Sequence, residues 1–206
     1  MHRHLATLAL LVAGVLVVTT PASAQLLWSS QPKRNSERDK QVVAFPTKHR
    51  PGEIVVSFAD RRLYHVTKPG QAMSYPIAVP RAESRWQGVE RVTRKRVNPS
   101  WTPTESMLRE NPKLPTFVPG GHPRNPMGVR ALYLGSTLYR IHGTDAPWTI
   151  GKNVSKGCVR MHNAHVIELY NRVKVGTKVL ATWQKYRPKR VVKTNYDANG
   201  WPFGDN

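Results

Sequence analysis

At 206 residues, with 32 Lys and Arg against 12 Asp and Glu, the chain carries a formal charge of +20 and has material for one domain with a full core. A single cysteine excludes an intramolecular disulfide framework, and a balance this basic points to an anionic partner.

Met1-His2-Arg3-His4 precedes an apolar run from Leu5 to Val18, followed by Ala22-Ser23-Ala24, the small-x-small pattern of a signal-peptidase site. The run is shorter than the roughly 20 residues that cross a bilayer. Residues 1–24 therefore read as a cleaved export signal, with no cysteine after the run to take a lipid. The mature chain is expected in the periplasm with no membrane span. Export turns the basic charge away from nucleic acid and toward the carboxylate-rich peptides and acidic lipids of a bacterial envelope.

From Gln25 to Pro51 the chain is polar and basic and reads as a loose arm, with regular structure beginning at Gly52. Glu53–Phe58 and Leu63–Val66, two β-prone runs around Ala59-Asp60-Arg61-Arg62, predict a hairpin. Met73–Val79 predicts another strand, placed at an edge by Pro76. Seven prolines between Asn98 and Gly128 predict a rigid irregular crossing, with one short helix beginning at Pro103. Ala131–Leu134 and Thr137–His142 read as strands on either side of Gly135-Ser136, which puts His142 at a strand end. Val166, Leu169, Tyr170 and Val173 repeat at helical spacing after Asn163, the expected N-cap. Lys178–Trp183 reads as a closing strand, and the remainder to Asn206 as a solvated basic tail. The hairpin signals predict a mainly β (α+β) class with one helix.

Cys158 lies in Ser155-Lys156-Gly157-Cys158-Val159-Arg160, sixteen positions after His142 in His142-Gly143-Thr144. An unpaired thiol in an oxidising compartment is a liability unless it has a task. A thiol attacks as thiolate, so it needs a base or a positive setting: His142 supplies the first, Lys156, Arg160 and a following helix N-terminus the second. Gly157 lets the backbone turn tightly and aim its amides at one point, as an oxyanion hole requires. Other candidates have plainer readings. His162 and His165 are spaced to share a metal, but no carboxylate partner accompanies them, so no metal site is assigned. His122 is a lid or surface residue, and Trp86, Trp101 and Trp183 are core or platform.

The order His142-Gly143-Thr144, then Ser155-Lys156-Gly157-Cys158-Val159-Arg160, resembles the signature of the L,D-transpeptidases, the YkuD-type catalytic domain of bacterial cell-wall enzymes. Pro119-Gly120-Gly121, Asn125–Gly128 and Arg130–Leu134 also match, and the likeness covers residues 52–182, leaving 183–206 as the tail. It implies mixed sheets packed as an L,D-transpeptidase-like β-sandwich or open barrel, with a helix after the nucleophile loop, and no cofactor. It further implies that Cys158 attacks the bond between diaminopimelate and D-alanine in a peptidoglycan stem tetrapeptide, with His142 as base and then acid. The carbonyl of Gly143 would hold the other ring nitrogen, and the amides of Lys156, Gly157 and Cys158 would bind the oxyanion. Arg160 would contact a stem carboxylate or support the loop. Ser155 serves as a loop hydrogen bonder, Trp148 lines the donor groove or covers the loop, and Tyr133 is placed among the substrate contacts. Many members carry histidine where this chain has Lys156, an exchange that matters only if that side chain takes part. The motif leaves the acyl acceptor open among a second stem's amine, water and a lysine of an outer-membrane protein. It also leaves a non-catalytic wall-binding module as the competing class, and carbapenems as expected acylators of Cys158.

Overall fold

A computed structural model describes residues 39–191; the segment expected to be an export signal, most of the expected basic arm and the tail beyond 191 fall outside the described residues. The first strands are β1 (Gln41–Ala44), β2 (Ile54–Ser57), β3 (Arg62–Lys68), β4 (Gln71–Pro80) and β5 (Gly88–Val97). After the short helix α1 (Glu105–Glu110) come β6 (Arg130–Leu134), β7 (Arg140–His142), β8 (Asn153–Ser155) and β9 (Val159–Met161). Helix α2 (Asn163–Arg172) and β10 (Lys178–Thr182) complete the order.

Alternation along the strands builds two apolar layers. In β2, Ile54 and Val56 point to the main core while Val55 points outward, and all three are buried. In β3, Leu63 joins the core while Tyr64 and Val66 join Val55 in a second cluster with Val43, Phe45 and Ala72. The strands run β1-β4-β3-β2-β10-β5-β6-β7-β9, and β9 pairs back onto β4, so the sheet closes on the core. The sheet is mixed: β10–β2, β7–β9 and β4–β8 are parallel and the other pairs antiparallel. Val166, Leu169 and Val173 bring α2 down on the same core.

The expected hairpin is β2–β3, in register Ile54 opposite His65. Four expectations are corrected. Among the described residues regular structure is already present at Gln41, ahead of Gly52, because β1 pairs with β4 and inserts Val43 and Phe45 into the outer cluster. The strand carrying Pro76 is internal; Pro76 is tolerated because β1 reaches only Gln41, opposite Ser74, while the Ile77 amide bonds Arg61 on the other flank. The start of the tail is docked: Tyr186 stacks on Phe45, and Asp60 takes the Tyr186 amide at 2.7 Å. The N-cap of α2 is His162, and Asn163, the first helical residue, spends its side chain elsewhere.

Candidate active site

Strand pairing brings the distant motif halves together. Parallel pairing of β7 with β9 sets Ile141 beside Val159 and His142 beside Arg160, which carries Cys158 level with Arg140. Ile141, Leu132 and Val159 are core residues, so their neighbours Arg140, His142, Tyr133, Cys158 and Arg160 take the opposite face. The antiparallel pairs extend the row: Arg140 opposite Tyr133, and Tyr133 opposite Arg94.

The loop that carries Cys158 is built around a glycine. Gly157 has φ +115°, and a Cβ there would meet the Tyr139 ring at 2.6 Å. That ring is stacked on Trp86 (4.2 Å between centroids, 3° between planes), and the Trp86 indole N–H donates to the Gly157 carbonyl at 2.8 Å. The buried Ser155 hydroxyl donates to the Cys158 carbonyl at 2.5 Å. Trp86 and Tyr139 are thus a rigid buttress for the loop, and Ser155 closes it from the other side.

His142 is 4% exposed, and its Nδ1 lies 2.6 Å from the Gly143 carbonyl. That oxygen has only lone pairs to offer, so Nδ1 carries the hydrogen. Burial, reinforced by the Arg160 charge, lowers the imidazole pKa to about 3 against the pull of the Gly143 carbonyl. The imidazole is therefore uncharged at neutral pH. Burial also pushes the Cys158 thiol up, opposed by the backbone and guanidinium of Arg140 and by the charge of Arg160. The resting pair is a thiol and a neutral imidazole. The Sγ donates to the Leu138 carbonyl at 3.6 Å, the same oxygen that Arg140 Nη1 reaches at 2.6 Å.

Behind His142, the Asn163 amide clamps the chain: Oδ1 accepts the Thr144 amide and Nδ2 donates to the Thr144 carbonyl, both at 3.0 Å. A Cβ on Gly143 would lie 2.1 Å from that Oδ1, and one on Gly128 2.4 Å, so both positions need glycine for close approach.

The row opens into a cavity of about 810 Å³ whose opposite wall is the proline-rich segment, including Trp101, Met107 and Val118. Arg81, Arg94, Arg124, Arg140, Lys156 and Arg160 line it against one acid, Asp145. Lys156 Nζ lies 2.5 Å from Glu110 of α1, which also faces Arg81 at 3.5 Å.

Cys158, His142, Lys156, Arg160, Ser155 and Tyr133 all line this cavity. Trp148 does not; it is 71% exposed on a short turn and is corrected to a surface residue. His122 sits in a neighbouring depression beside Phe117. The rings of His162 and His165 pack 5.2 Å apart, and among the described residues no group of three His, Cys, Asp or Glu side chains is placed to hold a metal. Sequence reasoning missed Arg140, Arg94, the Trp86–Tyr139 buttress and the Asn163 clamp. Arg140 had a signal, since two positions before a strand-borne His142 it must share that face.

The family model of the L,D-transpeptidase catalytic domain, YkuD, matches residues 51–180. The chain belongs to this family. A probable L,D-transpeptidase ErfK/SrfK of Escherichia coli is 44% identical over 133 residues, covering 61% of this chain and 42% of that protein. The chain thus spans well under half the length of this curated relative. L,D-transpeptidase 3 of Mycobacterium tuberculosis shares the fold at 17% identity, with TM-score 0.51 over 63% of this chain and 60% of that one. The catalytic domain of an E. faecium L,D-transpeptidase does so at 18% identity, with TM-score 0.50 over 65% and 98%. Among the described residues no helix is long and apolar enough to cross a membrane.

Proposed function

We propose that this L,D-transpeptidase domain acts in the periplasm, after cleavage at Ala24, on the tetrapeptide stems of peptidoglycan. The observation that carries the reading is the shared cavity face of Cys158 and a buried His142 held neutral, a nucleophile and its base at the floor of a cationic groove.

As the thiol attacks the carbonyl between diaminopimelate and D-alanine, its proton passes to the imidazole and the sulfur–carbon bond forms. The Gly143 carbonyl faces the imidazolium that results and steadies it. The backbone amides of Lys156, Gly157 and Cys158 serve as donors to the tetrahedral oxyanion, in a loop fixed by Ser155, Trp86 and Tyr139. Collapse breaks the carbon–nitrogen bond, and the imidazolium returns its proton to the departing D-alanine amine. A thioester on Cys158 remains. The side-chain amine of a second stem's diaminopimelate then attacks, gives up its proton through His142 and restores the thiol, leaving a 3-3 cross-link. Water at that step makes a tripeptide, and a lysine of an outer-membrane protein makes an attached protein.

The test is to incubate the mature protein, and Cys158→Ala beside it, with disaccharide-tetrapeptide and read masses. A dimer lacking one D-alanine, absent with Cys158→Ala, supports transpeptidation; a tripeptide alone assigns water as acceptor. An untouched tetrapeptide with the wild-type protein refutes the enzymatic reading.

A further inference from the structure

The sheet register sets one row of side chains across four strands: Arg94 on β5, Tyr133 on β6, Arg140 on β7 and, just before β9, Cys158. Directly opposed residues on neighbouring strands share a face, and in this row the face is the cavity wall. The Arg94 guanidinium stands 4.2 Å from the centroid of the Tyr133 ring and that of Arg140 5.0 Å from the same centroid. Two like charges are thus held against one aromatic ring, an arrangement that an anion between them relieves. Among the described residues no carboxylate forms an ion pair with either arginine; Glu110 serves Lys156 and Arg81, and Asp145 faces Arg160. The row ends at the nucleophile, since Arg140 and Cys158 meet on the Leu138 carbonyl.

We infer that Arg94 and Arg140, carried by Tyr133, form a carboxylate subsite that binds the terminal carboxylate of the departing residue. The inference rests on the proposed transpeptidase reaction and names the group that reaction must grip. In the tetrapeptide, the carboxylate fewest bonds from the attacked carbonyl is that of the terminal D-alanine, three bonds away. The side-chain carboxylate of diaminopimelate is six bonds away. An arginine that shares an acceptor with the sulfur is therefore placed for the nearer one. Planar guanidinium forks suit a carboxylate, and stacking on Tyr133 fixes their planes in advance. Arg160, already faced by Asp145, is left to the loop and the rest of the stem.

The subsite makes the terminal negative charge a requirement for the donor. The experiment uses the full mature chain and three donors: the disaccharide-tetrapeptide, the same molecule with its terminal carboxylate as a primary amide, and one amidated only on the diaminopimelate side chain. Release of the terminal residue gives kcat/KM for each. The wild-type protein should prefer the free acid over the terminal amide by roughly 10- to 100-fold, and treat side-chain amidation as nearly neutral. Arg94→Gln should slow the free acid and leave the terminal amide at its wild-type rate, so that the preference shrinks toward one, whereas Arg140→Gln, which also removes a charge beside Cys158, should slow every donor and the free acid most. Arg94→Lys should keep part of the preference. A purely structural role for Arg94 would slow all three donors alike and overturn the inference. Equal wild-type rates on free acid and terminal amide would overturn it too, as would a preference that follows the side-chain carboxylate. A wild-type protein inert on every donor would instead overturn the transpeptidase reading beneath it.

Discussion

Asn163→Ala tests whether the base is held from behind. The Asn163 amide makes two hydrogen bonds of 3.0 Å to the backbone of Thr144, a residue 2% exposed, and Gly143 and Gly128 pack against its Oδ1. Alanine removes both bonds and leaves a buried N–H and a buried C=O with no partner, each worth about 1–3 kcal/mol, with relaxation trimming the sum to about 2–4 kcal/mol. For a domain of this size each kcal/mol moves the melting temperature by about 2–4 °C, so a fall of roughly 5–15 °C is expected. Function should suffer separately. The Gly143 carbonyl that orients His142 lies between His142 and the clamped Thr144, so kcat should fall by about 10- to 100-fold with KM little changed. Asn163→Asp keeps one acceptor but presents an oxygen to the Thr144 carbonyl, and should fall between the two. Thermal melts and donor turnover decide the matter. A melting temperature within about 1 °C of wild type, with kcat within twofold, would refute the clamp.

At Gly157 an alanine Cβ would meet the Tyr139 ring at 2.6 Å in a backbone of φ +115°, and Trp86 stacked behind that ring blocks its retreat. Gly157→Ala should lower the melting temperature and abolish turnover; wild-type kcat in that variant would show the loop does not need its conformation. Because burial favours the uncharged thiol, the Cys158 pKa is pushed above the ordinary thiol range, and thiolate appears only in alkaline solution. Alkylation by iodoacetamide should keep accelerating through pH 9, and Arg140→Gln, which removes a charge that favours thiolate, should shift the curve further up. A rate that levels off near neutral pH would contradict the burial argument. Tyr186→Ala strips the cover from Phe45 and Tyr64, and should lower stability by about 2 kcal/mol at unchanged kcat, read by denaturant melts and turnover.

How far the sequence carries the reader depends on what each segment shows in its own pattern. The β2–β3 hairpin was legible because two β-branched and aromatic runs, buried on both faces, flank the polar turn at Ala59–Arg62, and α2 because its buried face imposes a period of 3.6 on Val166–Val173. Strand β5 was not, since Val92 alone among its ten residues is buried and charge masks the alternation. Strands β8 and β9, three residues each, were hidden beneath the motif they frame. The docked segment at Tyr186 looked like tail because a charged stretch gives no sign that one aromatic residue in it has a pocket to fill. At the site, Cys158 and His142 were readable as residue types with a spacing. Their geometry was not, because the parallel β7–β9 register that unites them is a long-range choice. Arg94 lay beyond any local argument, two strands from the motif.

Lys156 is the place where the chain departs from the histidine common in the motif, and the structure gives the side chain a task away from the chemistry. Its Nζ turns to Glu110 of α1, part of the segment that forms the far wall of the cavity, while the buried imidazole on the same cavity is His142. The backbone of residue 156 stays with the nucleophile loop. The side chain instead ties that loop to the opposite wall, a tie shared with Arg81 through the same carboxylate. If that is its task, Lys156→Ala should raise KM by no more than about fivefold, the scale of a partly exposed ion pair, and leave kcat in place. Glu110→Gln, which frees Arg81 as well, should be at least as costly in KM, and the double variant should be no worse than Glu110→Gln alone, since the Lys156 contact is already gone there. A collapse of kcat in Lys156→Ala at unchanged KM would return the side chain to the chemistry and refute the tie.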